Sequence, residues 1–160
     1  MPLVSVTVLS VGLDPANNSP LVILGEAGGE RALPIWIGSP EALSINLALD
    51  GVALERPLTH DLVKSLLDGL QATVERIVIT ELRGGTFFAQ IMLSAGGRLL
   101  AVDARPSDSI AIALRTKSPI FVDEEVLGRH GLSRPGDGGP DGLAERLKRI
   151  KPEEFGRFTL

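Results

Sequence analysis

A chain of 160 residues with 44% hydrophobic and 22% charged residues can bury a core and is far from the composition of a disordered segment. Its net charge of −4, from sixteen Lys plus Arg against twenty Asp plus Glu, excludes a long electrostatic footprint on nucleic acid or on an anionic membrane. Cysteine is absent, which removes disulfides, thiolate nucleophiles and Cys-ligated zinc together.

The opening "MPLVSVTVLSVGL" alternates Val4, Val6 and Val8 with Ser5 and Thr7 and has no basic leader, so it reads as a strand and not as a signal peptide. No apolar run approaches the roughly 20 residues of a membrane span, and the expectation is a soluble, cytoplasmic protein without membrane contact. Strands are predicted over Leu3–Leu13, Leu21–Glu26 and Arg31–Ile37, separated by the turn formers of "DPANNSP" and "AGGE". Ser39 then offers an N-cap, with Pro40 at the first helical position and Glu41 in the first turn, for a helix that Gly51 can end.

A second helix follows "LERPLTHD", with Thr59 as its cap and an apolar stripe of Leu62, Val63, Leu66, Leu67 and Leu70. Beyond Gly69 the chain turns β-rich over Thr73–Leu82, Thr86–Leu93 and Arg98–Asp103, with the Gly pairs 84/85 and 96/97 suited to tight hairpins. The stretch "VDARPSDSIAIALR" supplies a third helix, capped by Ser107, and "SPIFV" a short buried strand. From Gly128 to Gly142 the composition is that of a surface loop, followed by a weakly amphipathic tail through Leu143, Leu147 and Ile150. The expected organisation is an α+β domain over residues 1–128, a flexible loop over 129–142 and a short C-terminal helical tail over 143–160. "LPIWIGSPEALSINLAL" and "LLAVDARPSDSIAIAL" also echo one another, with Glu41 opposite Asp108, as an internal β-α-β duplication would.

Capping explains Pro106, Ser107 and Asp108, but not Asp103 or Arg105. A structural Asp–Arg pair accounts for those two. So does chemistry: Asp103 at a strand end and Asp108 in the next helical turn can offer oxygens to Mg2+ or Mn2+, with Arg105 on a phosphate. In "RPLTHD", the positive helix end favours a neutral His60, as a general base requires. Glu41 is a third acidic candidate, while Trp36, Phe87 and Phe88 read as core, not as base-stacking platforms. There is no GxxxxGK[ST], GxGxxG or GxSxG, and neither His60 nor His130 has an obvious serine partner.

Five segments in register, "LPIWIGSPEALSINLAL", "RPLTHDL", "GGTFFAQIML", "VDARPSDSIAIALR" and "SPIFVDEEVL", resemble the bifunctional nuclease family. The likeness covers about Leu3 to Leu127, and "RIKPEEF" is similar to the tail of bacterial members; Ser109 and the long "SRPGDGGPDG" loop depart from the pattern. The resemblance implies a mixed, largely antiparallel sheet with three main helices, self-association into a homodimer or higher homo-oligomer, and, in some members, metal-dependent cleavage of DNA and RNA.

On this reading Asp103, Asp108 and Glu41 hold Mg2+ or Mn2+, and His60 orients or deprotonates water. Arg105, with Arg56 and Ser107, binds the phosphate of a weakly and non-specifically held nucleic acid. The competing reading is a non-catalytic regulatory or interaction module whose polar clusters are caps and ion pairs. A third is a binder of a small anionic metabolite at Arg105.

Overall fold

In the computed structural model, which describes residues 2–133, the chain forms β1 (Leu3–Leu13), β2 (Pro20–Glu26), β3 (Arg31–Trp36), α1 (Ser39–Leu49), α2 (Thr59–Gly69), β4 (Thr73–Arg83), β5 (Thr86–Ala95), β6 (Arg98–Ala104), α3 (Pro106–Thr116), β7 (Ile120–Asp123), α4 (Glu124–His130) and β8 (Leu132–Ser133). All eight strands join one sheet in the order β6-β5-β4-β7-β1-β2-β3-β8. Every neighbouring pair is antiparallel except β4 with β7. The fold is therefore α+β with a mixed, largely antiparallel sheet, as the sequence led us to expect. The expected tail helix and most of the expected loop lie outside the described residues.

Two meanders, β1-β2-β3 and β4-β5-β6, flank the short central β7 in mirrored order, and each runs into a proline-started helix, α1 or α3. The internal echo in the sequence is thus a repeated β-β-β-α unit and not the β-α-β unit expected. Glu41 and Asp108 occupy the same third position of their helices. Because the helix that follows each meander packs against the other, the repeat brings two helix entrances together.

β2 and β3 are buried at nearly every position, so both faces of that half of the sheet are covered, and their near-continuous Leu, Val and Ile runs reflect it. Leu24, Leu33, Ile35, Ile77, Ile79, Phe87, Ile110 and Val122 form the centre of the core. At the opposite edge, every residue of β6 from Arg98 to Asp103 is exposed, Leu99, Leu100 and Val102 included.

Helix starts fall one residue earlier than Ser39 and Thr59 and two earlier than Ser107 as caps would have them. The N-cap residues are Gly38, Leu58 and Arg105, none of which caps with its side chain. At α2 the Leu58 N–H instead donates to Asp61 Oδ2 at 2.9 Å, which leaves Thr59 as the first helical residue. Gly51 follows α1 with φ +65°, the left-handed conformation that a helix end favours in glycine.

A fourth helix, α4, replaces the beginning of the loop expected from Gly128: Asp123 accepts from the Glu125 N–H at 2.8 Å, and Val126 and Leu127 are buried. Arg31 fastens it, pairing with Glu26 at 2.9 Å and Glu124 at 2.7 Å. No helix among the described residues is long and apolar enough to cross a membrane.

Candidate active site

The first turns of α1, α2 and α3 converge on a cavity of about 320 Å³ lined by Pro40, Glu41, Leu43, Ser44, Leu58, Thr59, His60, Arg105 and Asp108. Each helix is eleven residues long and presents its positive dipole end here, an arrangement suited to an anion.

Arg105, at the strand-to-helix turn, bridges the two repeat-related acids. Its Nε donates to Asp108 Oδ2 at 2.8 Å and its Nη2 to Glu41 Oε1 at 2.8 Å. These bonds use two of the five guanidinium donors, and the side chain, 38% exposed, lines the cavity. Glu41, by contrast, is buried, and its Oε2 has no hydrogen-bond partner among the described residues. A Cβ on Gly38 would collide with that oxygen, so the entrance to α1 is shaped around the carboxylate.

His60 is buried at the second position of α2 and bonded at both ring nitrogens. Nε2 lies 2.8 Å from Asp108 Oδ1 and Nδ1 2.6 Å from Ser44 Oγ. Asp108 is held down at a pKa of about 2 by the hydrogen bond from His60 and then by Arg105, against the cost of burial. An ionised carboxylate only accepts, so Nε2 carries a proton, and in the neutral ring Nδ1 then presents its lone pair to the Ser44 hydroxyl. The order Asp108–His60–Ser44 is therefore that of an acid, a base it orients, and a hydroxyl that donates to the base.

Arg115 locks this layout from behind. Its Nε donates to Asp61 Oδ1 at 2.6 Å, and its Nη2 and Nη1 to the Ser44 and Ala111 carbonyls at 3.1 and 3.0 Å, tying α2, α1 and α3 together. Hydrogen bonding to Arg115, with the Leu58 N–H second, lowers the Asp61 pKa.

Of the residues expected from the sequence, Glu41, His60, Arg105 and Asp108 meet in the cavity wall. Asp103 does not line it: the β5–β6 register sets Asp103 opposite Gln90 on the exposed edge strand. Arg56 is exposed in the loop before α2, and Ser107 is buried in the first turn of α3, neither lining the cavity. The serine partner that the sequence did not reveal for His60 is Ser44, sixteen residues earlier on another helix. Ser44 and Arg115 carry no local signal, since neither lies in a polar cluster that also holds His60 or Asp61.

Among the described residues no three His, Asp or Glu side chains group as a metal site. Both Asp108 oxygens, Glu41 Oε1 and both His60 nitrogens are engaged, and the guanidinium of Arg105 occupies the place between the carboxylates that a cation would take. This donor set, so arranged, does not fit Mg2+ or Mn2+.

Fold and cavity thus define an α+β protein with a polar site in which His60 is bonded to Asp108 and Ser44. The chain belongs to the bifunctional nuclease domain family, whose model matches residues 22–135. It is 40% identical over 153 residues to an uncharacterized protein of Mycobacterium tuberculosis, covering 96% of this chain and 91% of that one. Bifunctional nuclease 1 of Arabidopsis thaliana is 30% identical over 122 residues, 74% of this chain and 38% of the plant protein. Bifunctional nuclease 1 of Oryza sativa subsp. indica is 28% identical over 122 residues, 74% of this chain and 37% of its own length. The chain therefore spans little more than a third of these plant relatives.

Proposed function

We propose that this protein is a nuclease that hydrolyses phosphodiester bonds of DNA and RNA with low sequence specificity. The observation that carries this reading is the convergence of three helix N-termini, the spare donors of Arg105 and the His60–Asp108 pair on one cavity. The helix ends and Arg105 hold the phosphate and offset charge that builds on its oxygens, and His60 moves the proton. The acidic net charge of the chain supports weak, salt-sensitive binding of short or single-stranded substrates.

Self-association as a homodimer belongs to the same proposal. Among the described residues β6 is an edge strand, with Leu99, Leu100 and Val102 exposed, and pairing with a second copy covers it. The test of the nuclease reading is cleavage of end-labelled single-stranded DNA and RNA by purified protein, with Mg2+, with Mn2+ and with EDTA, beside Arg105→Met and His60→Ala. Loss of cleavage in both folded variants supports the assignment, and undiminished cleavage in both overturns it.

A further inference from the structure

We infer that Ser44 is the nucleophile of this site, activated by His60 and Asp108, and that cleavage passes through a covalent phosphoserine diester. The inference rests on the phosphodiesterase reading and deepens it. Its ground is where the base points: Nδ1 of His60 lies 2.6 Å from the Ser44 hydroxyl and Nε2 is held by Asp108 at 2.8 Å, so in the neutral ring the lone pair is directed at Ser44. A water molecule that His60 is to deprotonate first has to displace Ser44, whereas Ser44 already has its proton at the base. Ser44, though largely buried, lines the same cavity as Arg105, the residue assigned to the phosphate.

A serine in the middle of a helix ordinarily returns its hydroxyl to a carbonyl four residues back, as Ser109 does to the Arg105 carbonyl at 2.9 Å. Ser44 does not; its own carbonyl is clamped by Arg115, and its hydroxyl is given to the ring.

The step balances within the residues present. Ser44 Oγ bonds to phosphorus as its proton passes to His60 Nδ1; the bond from phosphorus to the leaving nucleoside oxygen breaks, and that oxygen takes the proton from His60. Water then attacks phosphorus, its proton passes to His60, and Ser44 Oγ departs and recovers a proton. The sum is water added across one P–O bond, with nothing oxidised or reduced. The charge on the phosphoryl oxygens is met by Arg105 and the helix ends, so no divalent cation enters either step.

The test combines a covalent probe with turnover. The full chain is treated with an alkyl fluorophosphonate and analysed by intact mass and peptide mapping, alongside Ser44→Ala, Ser44→Cys, His60→Ala and Asp108→Asn, each checked for folding by its unfolding transition. A single adduct on Ser44, absent in Ser44→Ala and formed at least ~100-fold more slowly in His60→Ala and Asp108→Asn, is the expected result. Cleavage of single-stranded DNA is expected to persist in EDTA and to fall by ~1,000-fold or more in folded Ser44→Ala.

If Ser44→Ala cleaves within tenfold of the parent and no adduct forms, the nucleophile is refuted while the nuclease reading survives. If Ser44 is labelled but the parent cleaves no nucleic acid, the nuclease reading fails and the activated serine stands. Cleavage abolished by EDTA together with an unlabelled Ser44 also overturns the inference.

Discussion

The bond between Arg105 and Glu41 is the most sensitive point in the site, because its two ends are desolvated unequally. The side chain of Glu41 is 9% exposed and that of Arg105 38%, so the acid depends on the guanidinium far more than the reverse. In Arg105→Met the stem is kept and the charge removed, which leaves both Glu41 oxygens buried without a partner and takes one from Asp108. Breaking a buried pair from one side costs about 3–5 kcal/mol, and the partial exposure of Arg105 places this case near the lower figure, about 3 kcal/mol.

For a chain of this size that corresponds to a fall in Tm of roughly 6–12 °C. In Glu41→Met/Arg105→Met the stranded carboxylate is gone, and the double variant is expected to be more stable than Arg105→Met by about 2 kcal/mol. Urea unfolding followed through Trp36, the single tryptophan and a buried one, measures all four corners of the cycle. A loss under about 1 kcal/mol in Arg105→Met, with additive effects in the double variant, refutes the reasoning that Glu41 sits desolvated and dependent on one cation.

Asp108 is held near a pKa of about 2 against an ordinary 3.8, so its contribution is complete above the ordinary value and lost as pH falls through about 2. Unfolding of Asp108→Asn and parent from pH 7 to pH 2 is therefore expected to converge at the acid end. His130 has its pKa lowered, by burial first and the Arg129 charge second, so the folded state resists its protonation and loses stability as pH falls below 6.5; His130→Gln flattens that limb in melts between pH 8 and pH 5. Trp36→Phe removes the 3.0 Å hydrogen bond from Nε1 to the buried Asp14 and is expected to cost about 1–3 kcal/mol, read by circular dichroism because the fluorophore is gone. Leu99→Lys with Leu100→Lys charges the exposed edge of β6, and light scattering is expected to report a monomer in place of the dimer proposed for the parent; a variant that stays dimeric places the contact elsewhere.

Much of this molecule is legible in one dimension. Alternation of Val with Ser and Thr, paired glycines between apolar runs and Ser/Pro/acid entrances mark β1 to β6 and α1 to α3 to within a few residues. The five spaced segments identify the family, and the polar clusters "RPLTHD" and "DARPSD" contain His60, Arg105 and Asp108, three of the four expected site residues that meet in the cavity. Such signals survive because each is local: turn chemistry, helix entry and face periodicity act over three to eleven residues.

What tertiary structure alone decided is which of those polar groups share a space and in what order. Pairing of β6 with β5 sets Asp103 on the open edge while the turn after it swings Arg105 between Glu41 and Asp108. Packing of α1 against α3, and of α2 against α3, carries Ser44 to within 2.6 Å of His60 and thereby aims the base at a hydroxyl. Contacts across sixteen to sixty-four residues depend on how helices pack over the sheet, and that geometry is a property of the fold that no local pattern encodes.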